Sequence, residues 1–446
     1  RMTGKLFLPT FNSHFVNFKV LSKLNQLLAF IRGYYTAKAG ARSSSKGLLK
    51  RQKKGFESLQ QSLKNSPFYS DYQGKALSDY PVINKAVHMA NFDAMNVAGL
   101  EKEKALAIAI SSEQSRDFSP SYKGYSGGLS SGTSGNLGLF VTSDVERAEW
   151  AGYIISKMLP FKLKKQRVAF FLRANNNLYE GSNGLLLKFR FFDLIDGIES
   201  QIAALEEFQP SVLIAPASVL VKIMEASPDI RPAKIISVAE VLEPTDEARL
   251  SNYFNQSIDQ NYQSTEGFLA ATCSHGNLHM NEDIVIIEKK WVDQSSGRFS
   301  PIVTDLRRVT QPVVRYLLDD ILIEEKSPCP CGSSQMRLKA IEGRMDDILQ
   351  LEGNDKSLVD VFPDFVRNSI ISCCPELDEY RVIQTAQNCL EISIQPFDEI
   401  YQNKIEQDLK LLWDRLGVKI PRYHFSELTV QDNTQKRRRV SRELHG

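Results

Sequence analysis

The middle of the chain is written in short, continuously apolar runs separated by amphipathic stretches. QRVAFFLRA (166–174) and AKIISVAEV (233–241) read as strands buried on both faces. Between them, EEFQPSVLIAPASVLVKIMEA (206–226) reads as a polar turn, an apolar strand over Val212–Ala215, a Pro-Ala-Ser junction and an amphipathic helix. Strand, helix and strand in that order predict parallel strands in an α/β core. NEDIVIIEKKW (281–291) and DDILIEE (319–325) predict further strands, antiparallel at a sheet edge or in a small barrel.

The pattern shifts after about residue 345. VDVFPDFVRNSIISCC is helical, and LDEYRVIQTAQ with CLEISIQPF alternates like a two-stranded hairpin. FDEIYQNKIEQDLKLLWDRLG is an amphipathic helix that stops at Gly417, and YHFSELTV is a last strand. The expected fold class is therefore α/β: a large multi-sheet N-terminal domain with a small α+β C-terminal lid domain. The expected divisions are a helical extension over 1–74 packed on the large domain, the large domain over 75–344, and a mobile lid over 345–446.

Segment 17–35 has an apolar core interrupted by Lys19, Lys23 and Arg32. Its run Leu27–Ile31 is too short for a secretory core, so it predicts an amphipathic helix of the folded domain. Residues 32–54 carry eight Lys and Arg. With few aromatics interleaved, they read as a solvated helix in preference to a nucleic-acid tether.

Composition bounds the rest. Of 446 residues, 42% are hydrophobic and 24% charged, which excludes disorder over most of the chain. Fifty-five basic and 53 acidic residues leave +2, so no global field demands nucleic acid or an acidic membrane. Six cysteines are too few for a disulfide framework, and no apolar run is long enough to span a bilayer. A reduced, cytoplasmic protein without nucleic-acid partners is expected.

Four stretches carry candidate chemistry. YSGGLSSGTSGNLGLFVTS (125–143) packs glycines among hydroxyls, the composition of a phosphate-binding turn and equally of a surface linker. QNYQSTEGF (260–268) places Tyr262, Thr265 and Glu266 together after a predicted strand. TQPVVRYLLDDIL (310–322) spaces Arg315 and Asp320 for phosphate and ribose, and IEGRMDDIL (341–349) suits a hinge.

In this order and spacing, these pieces resemble the adenylate-forming superfamily of acyl- and aryl-CoA ligases. The phrases SVAEVLEP, LHMNEDIVIIE, TQPVVRY, CPCG and EGRMDD make the likeness greatest to phenylacetate–CoA ligases and coenzyme F390 synthetase-like enzymes. The resemblance spans roughly 75–446. It implies activation of a carboxylic acid, expected to be aromatic, by ATP and Mg²⁺ with release of pyrophosphate, then transfer to coenzyme A. It implies that Ser130, Ser131, Gly132, Thr133, Ser134 and Gly135 cover the ATP phosphates. Ala239 and Glu240 would line the adenine side, and Tyr262 would stack on the base. Thr265 would touch the α-phosphate, Glu266 would hold Mg²⁺, Asp320 would bind the ribose, Arg344 would assist at the hinge and Asp346 would be the pivot. Lys436 would be the catalytic lysine. The chain departs from the family pattern at Gln435, where a glycine is usual, and at Asp319 and Leu317, where glycine and arginine are usual.

Cys273, His279, Cys329 and Cys331 form a candidate tetrahedral zinc site, with His275 as a rival ligand. Cys373, Cys374 and Cys389 read as core residues. Trp150, Tyr153, Phe170, Phe171, Tyr179, Phe191 and Phe192 are candidates to floor an aryl pocket, each read first as core, and Asn175–Asn177 are placed to face it. Rival readings are acyl transfer to an amine, a hydroxyl or a carrier-protein thiol, a ligase fold without turnover, and a non-catalytic nucleotide- or nucleic-acid-binding protein. A homodimer is compatible with all of them.

Overall fold

A computed structural model describes residues 13–129, 138–159, 165–172, 187–428 and 438–443, with side chains from Leu21 onward. One 12-stranded sheet organises the larger body. Five of its strands are parallel, in the order Leu187–Asp193, Gln166–Leu172, Val212–Ala215, Lys234–Ser237, Asp259–Ser264. Successive residues on a strand point to opposite faces. Val168, Val212, Ile214 and Ile236 enter one core with helix Asp144–Met158. Ala169, Phe171, Leu213 and Ile235 enter another, with helices Ile202–Phe208 and Ala217–Ala226. Burial on both sides is why these runs are apolar at every step.

The sheet changes character at Asp259–Ser264, which is parallel to Lys234–Ser237 and antiparallel to Gly267–Thr272. Beyond it the antiparallel strands Leu278–Met280, Arg337–Arg344, Asp320–Glu325, Arg298–Asp305 and Val285–Asp293 continue the same sheet to its edge.

A separate core draws on residues 349–440. Its four-stranded sheet runs Arg422–Glu427, Cys389–Gln395, Glu379–Ala386, Val440–Arg442, covered by helices Pro363–Cys373 and Glu399–Leu416. Trp413 is fully buried there, and its indole N–H donates to the Tyr423 hydroxyl at 2.6 Å. Helix Glu399–Leu416 stops at Gly417, whose φ of 68° only glycine adopts cheaply. Cys374 belongs to this core and Cys373 packs against it, whereas Cys389 sits half-buried on its strand. The short pair Leu349–Glu352 and Leu358–Val361, and the strand Val440–Arg442, add to the predicted elements. The architecture is thus the α/β class expected, a large multi-sheet body with a smaller α+β unit at its C-terminal end.

The first helix, Ser13–Gly40, crosses Asp144–Met158 at backbone distance. A Cβ on Gly33 would lie 1.9 Å from the Glu149 carbonyl oxygen, and one on Gly152 would lie 2.0 Å from that of Phe30. Any side chain there forces the helices apart. Gly152→Val is expected to destabilise the protein by about 3 kcal/mol or more, read by chemical denaturation, and to open residues 21–40 to proteolysis.

Candidate active site

Parallel neighbours end on the same side of a sheet, and the space beyond those ends is where ligands of open α/β sheets bind. Here a cavity of about 490 Å³ opens beyond Lys234–Ser237 and Asp259–Ser264. Val238–Glu240 leave the first strand into it, and Thr265 and Glu266 leave the second. Asp320 and Arg344 arrive from the antiparallel half, directly opposite each other in register. Arg438, Arg439 and Val440 arrive from the C-terminal segment.

These side chains are held by one another. The Tyr262 hydroxyl donates to Asp320 Oδ2 at 2.5 Å, and Arg344 Nε lies 3.8 Å from Asp320 Oδ1. Burial raises the Tyr262 pKa well above its ordinary value, so it stays a donor. Tyr262, expected to stack on a base, is mostly buried in the main core and orients Asp320 as well as lining the cavity. The Thr265 hydroxyl donates to Glu266 Oε2 at 2.9 Å, and the Tyr316 hydroxyl bonds the same carboxylate. Arg308 donates to the Thr265 carbonyl. Ala239 has a left-handed φ of 65°, and Glu240 accepts the Ser218 N–H at 2.9 Å, tying the predicted adenine side to the start of helix Ala217–Ala226.

Two residues that sequence reasoning missed face Glu266. Lys85 opens the short helix Lys85–Ala90, where Asn84 caps the Val87 N–H at 3.0 Å. Burial lowers the Lys85 pKa, while Glu266 works to raise it. Asp319, at the position of the usual glycine, has its pKa raised by burial and then by Asp346. Nothing local marked Lys85, because the cap signal describes a helix start and no more. Asp319 was visible only as a departure.

The C-terminal unit is clasped to the body by ions. Arg439 is buried, with Nε 2.7 Å from Glu379 Oε1 on its own side. Across the junction its guanidinium pairs with Glu243 and lies 3.6 Å from Asp246. Burial raises the pKa of Glu243 and Glu379, and Arg439 opposes it. A second clasp joins Arg298 to Glu342 at 2.9 Å and to Asp364 at 2.7 Å. Burial pushes Glu342 up to about 7. Arg438 Nε donates to Asp347 Oδ1 at 2.8 Å. Lys436, two positions earlier, lies outside the described residues, as do Ser130–Gly135. The strands Ser126–Leu129 and Leu139–Thr142 on either side of that loop are paired, and Leu129 and Phe140 line the cavity.

Of the candidate aromatics, Trp150, Tyr153 and Phe170 line the cavity. Phe171 and Phe192 stack at 4.6 Å in the other core, and Phe191 lies away from the cavity. Tyr179 and Asn175–Asn177 lie outside the described residues. Arg315, expected to meet phosphate, instead pairs with Glu288 at 2.8 Å and donates to the Ser78 and Tyr80 carbonyls, a structural role.

Away from the cavity, the ligand atoms of Cys273, His279, Cys329 and Cys331 lie within 4.8 Å of one another. Nδ1 of His279 bonds the Gln335 carbonyl at 2.9 Å, which fixes the proton there and leaves the Nε2 lone pair 3.5 Å from Cys331 Sγ. His275 is exposed, with Nδ1 on Ser274, and is not part of the cluster. Soft sulfur and imidazole donors in a closed set of four fit zinc.

No family model and no curated protein matches the sequence. Solved structures match its fold. A 2-hydroxyisobutyryl-CoA ligase in the postadenylation state, bound to R3-HIB-AMP, aligns with a TM-score of 0.64 at 15% identity over 89% of each chain. The chain has the fold of an adenylate-forming CoA ligase. An open conformation of that enzyme with 2-HIB-AMP and CoA gives 0.55 at 16% identity, over 89% of this chain and 90% of that one. Its thioesterification state gives 0.51 at 16% identity over the same shares.

Within this ligase fold, Asp305 is a buried carboxylate beside Gly267. Its Oδ1 accepts the Arg307 and Arg308 N–H groups at 2.8 and 3.1 Å. Burial pushes its pKa up to about 6. A raised folded pKa means that the neutral form favours folding below about pH 4, and that this contribution is lost as pH rises through 6. Asn keeps the acceptor oxygen. The stability of Asp305→Asn relative to wild type is therefore expected to rise by about 3 kcal/mol between pH 3 and pH 7, measured by denaturant titration at each pH.

Proposed function

We propose that the protein is an AMP-forming acid–CoA ligase. The carrying observation is the meeting in one cavity of Thr265 and Glu266, Asp320 and Arg344, and the C-terminal segment at Arg438–Val440. In this reading a carboxylate oxygen attacks the α-phosphorus of ATP, the bond to the β-phosphate oxygen breaks, and pyrophosphate leaves with the electron pair. Both reactants are anions, so the site must supply positive charge where negative charge gathers. Lys85 stands opposite Glu266, Lys436 would enter beside Arg438, and the Ser130–Gly135 loop would give donors to the phosphates. Thr265 would bond the α-phosphate. Asp320, oriented by Tyr262, would take the ribose hydroxyls with Arg344 beside it. Ala239 would line the adenine side with Glu240.

Glu266 and Asp319 are hard oxygen donors facing one space, with Asp346 as a further like charge, a set that fits Mg²⁺. When bound, Mg²⁺ would neutralise phosphate charge. Breaking the Arg439 clasp and turning the C-terminal unit about 344–346 would withdraw Lys436 and admit coenzyme A, whose thiol takes the acyl group and releases AMP. Trp150, Phe170 and Leu172 on the cavity wall support an aromatic acid. The phenylacetate–CoA ligase branch rests on the sequence phrases alone. Structural zinc on Cys273, His279, Cys329 and Cys331 completes the reading, closing two turns of the antiparallel half.

The test is acid-dependent exchange of labelled pyrophosphate into ATP over a panel of aryl and aliphatic acids, followed by thioester formation with coenzyme A. Absence of exchange with every acid overturns the reading. Lys436→Ala is expected to lower exchange on the order of 100-fold and Lys85→Ala on the order of tenfold. Metal analysis is expected to find one zinc per chain, lost in the Cys329→Ser/Cys331→Ser variant together with several degrees of Tm; zinc retained by that variant would remove the assignment.

A further inference from the structure

Helix Ser13–Gly40 is packed with its small residues inward. Ala29, Gly33, Ala37 and Gly40 are buried, and Gly33 meets the backbone of Asp144–Met158. Leu21, Leu24, Leu28, Ile31 and Tyr35 recur at spacings of three and four, so they form one stripe on the opposite side. They are 41 to 66% exposed, and Leu27 beside them is 54% exposed. A surface helix ordinarily turns its bulkier apolar stripe to the core. Single exposed leucines are unremarkable, but a continuous row about 21 Å long marks a surface made to be covered.

Charge selects the cover. Residues 1–56 hold 12 Lys and Arg and no Asp or Glu, leaving 43 basic and 53 acidic residues in the remainder. Positive charge is thus segregated on the arm that carries the stripe. Lys23 and Lys38, both exposed, flank the stripe on one side, while Arg32 on the other is ion-paired with Glu149 of helix Asp144–Met158. The following helix, Ser45–Leu63, exposes Leu49 with Lys46, Lys50 and Lys53 at helical spacing. A second copy seated on this face would bring two strongly basic arms together. Nucleic acid would meet mostly leucine and isoleucine, with Tyr35 the single ring of the row, where it needs donors and a series of stacking rings. An anionic bilayer offers hydrocarbon for the row and phosphate for the lysines, whose stems reach outward from a buried helix.

We propose that the outer face of helix Ser13–Gly40 seats the protein on the surface of an anionic phospholipid bilayer, with the helix lying in the interface plane. No described helix is long and apolar enough to cross a membrane, so the attachment is peripheral. Gly33 and Thr36 on the same helix line the cavity, which sets that cavity one helix thickness from the lipid.

Flotation of the full chain with vesicles tests this. Vesicles of phosphatidylcholine mixed with phosphatidylserine, whose negative surface attracts basic segments, are expected to carry the protein at least tenfold better than pure phosphatidylcholine, and the difference is expected to shrink as salt is raised. Leu24→Glu/Leu28→Glu/Ile31→Glu is expected to lose flotation at least tenfold with a nearly unchanged Tm, because all three are 41 to 56% exposed and none belongs to a hydrophobic core of the body. If that variant fails to fold, Lys46→Glu/Lys50→Glu/Lys53→Glu carries the test and is expected to weaken flotation on anionic vesicles alone. Equal flotation of wild type and the folded leucine variant overturns the proposal. So does a concentration-dependent dimer in sedimentation that this variant abolishes, or binding to a DNA oligonucleotide with no binding to either vesicle.

Discussion

Glu266, Asp319, Asp320, Asp346 and Asp347 all face one cavity, and the rest of the structure is arranged around keeping that much negative charge in place. Unpaired carboxylates taken out of water cost several kcal/mol each, of order. Here Lys85 stands against Glu266, Arg344 against Asp320 and Arg438 against Asp347, while hydroxyls from Thr265, Tyr262 and Tyr316 satisfy remaining lone pairs. The cations come from the N-terminal region, the antiparallel half of the sheet and the C-terminal unit. No single segment could assemble them, so the charge balance itself requires the long-range fold.

Much of that fold was legible in the sequence for reasons the structure makes plain. Val168–Phe171, Val212–Ala215 and Ile235–Ser237 are buried or nearly so on both faces, and such strands leave short apolar runs in place of an alternating pattern. Gly417 ended its helix because a left-handed residue was needed there. The four-residue cysteine–histidine set was readable because short turns confine their own ligands, and only the choice between His275 and His279 needed coordinates. Val440–Arg442 was not readable, since three residues carry no period. Arg315 misled because an arginine meeting backbone carbonyls and one meeting phosphate look alike in sequence. Lys85 was hidden because its meaning lies entirely in what stands across the cavity. The reversed faces of helix Ser13–Gly40 were hidden too, because both of its sides are apolar and only packing tells which one is inside.

The sheet places these parts economically. Within the 12-stranded sheet, Asp259–Ser264 is the described strand that pairs in parallel on one side and antiparallel on the other, so the residues following it are reached from both halves. Ligands of open α/β sheets bind beyond the carboxyl ends of the strands. The position of Thr265 and Glu266 follows from strand order before any side chain is considered.

The Arg439 clasp has an effect beyond holding two bodies together. Its guanidinium is shared among Glu243, Asp246 and Glu379. When such a cluster opens, water solvates each ion about as well as the cluster did, because attraction and dehydration nearly cancel. The contact therefore behaves like the notch of a ratchet: it defines one angular stop sharply while adding little to the depth of the well. In the proposed rotation, a joint of this kind would be tipped either way by whatever occupies the space between its halves, and would return to the same angle each time.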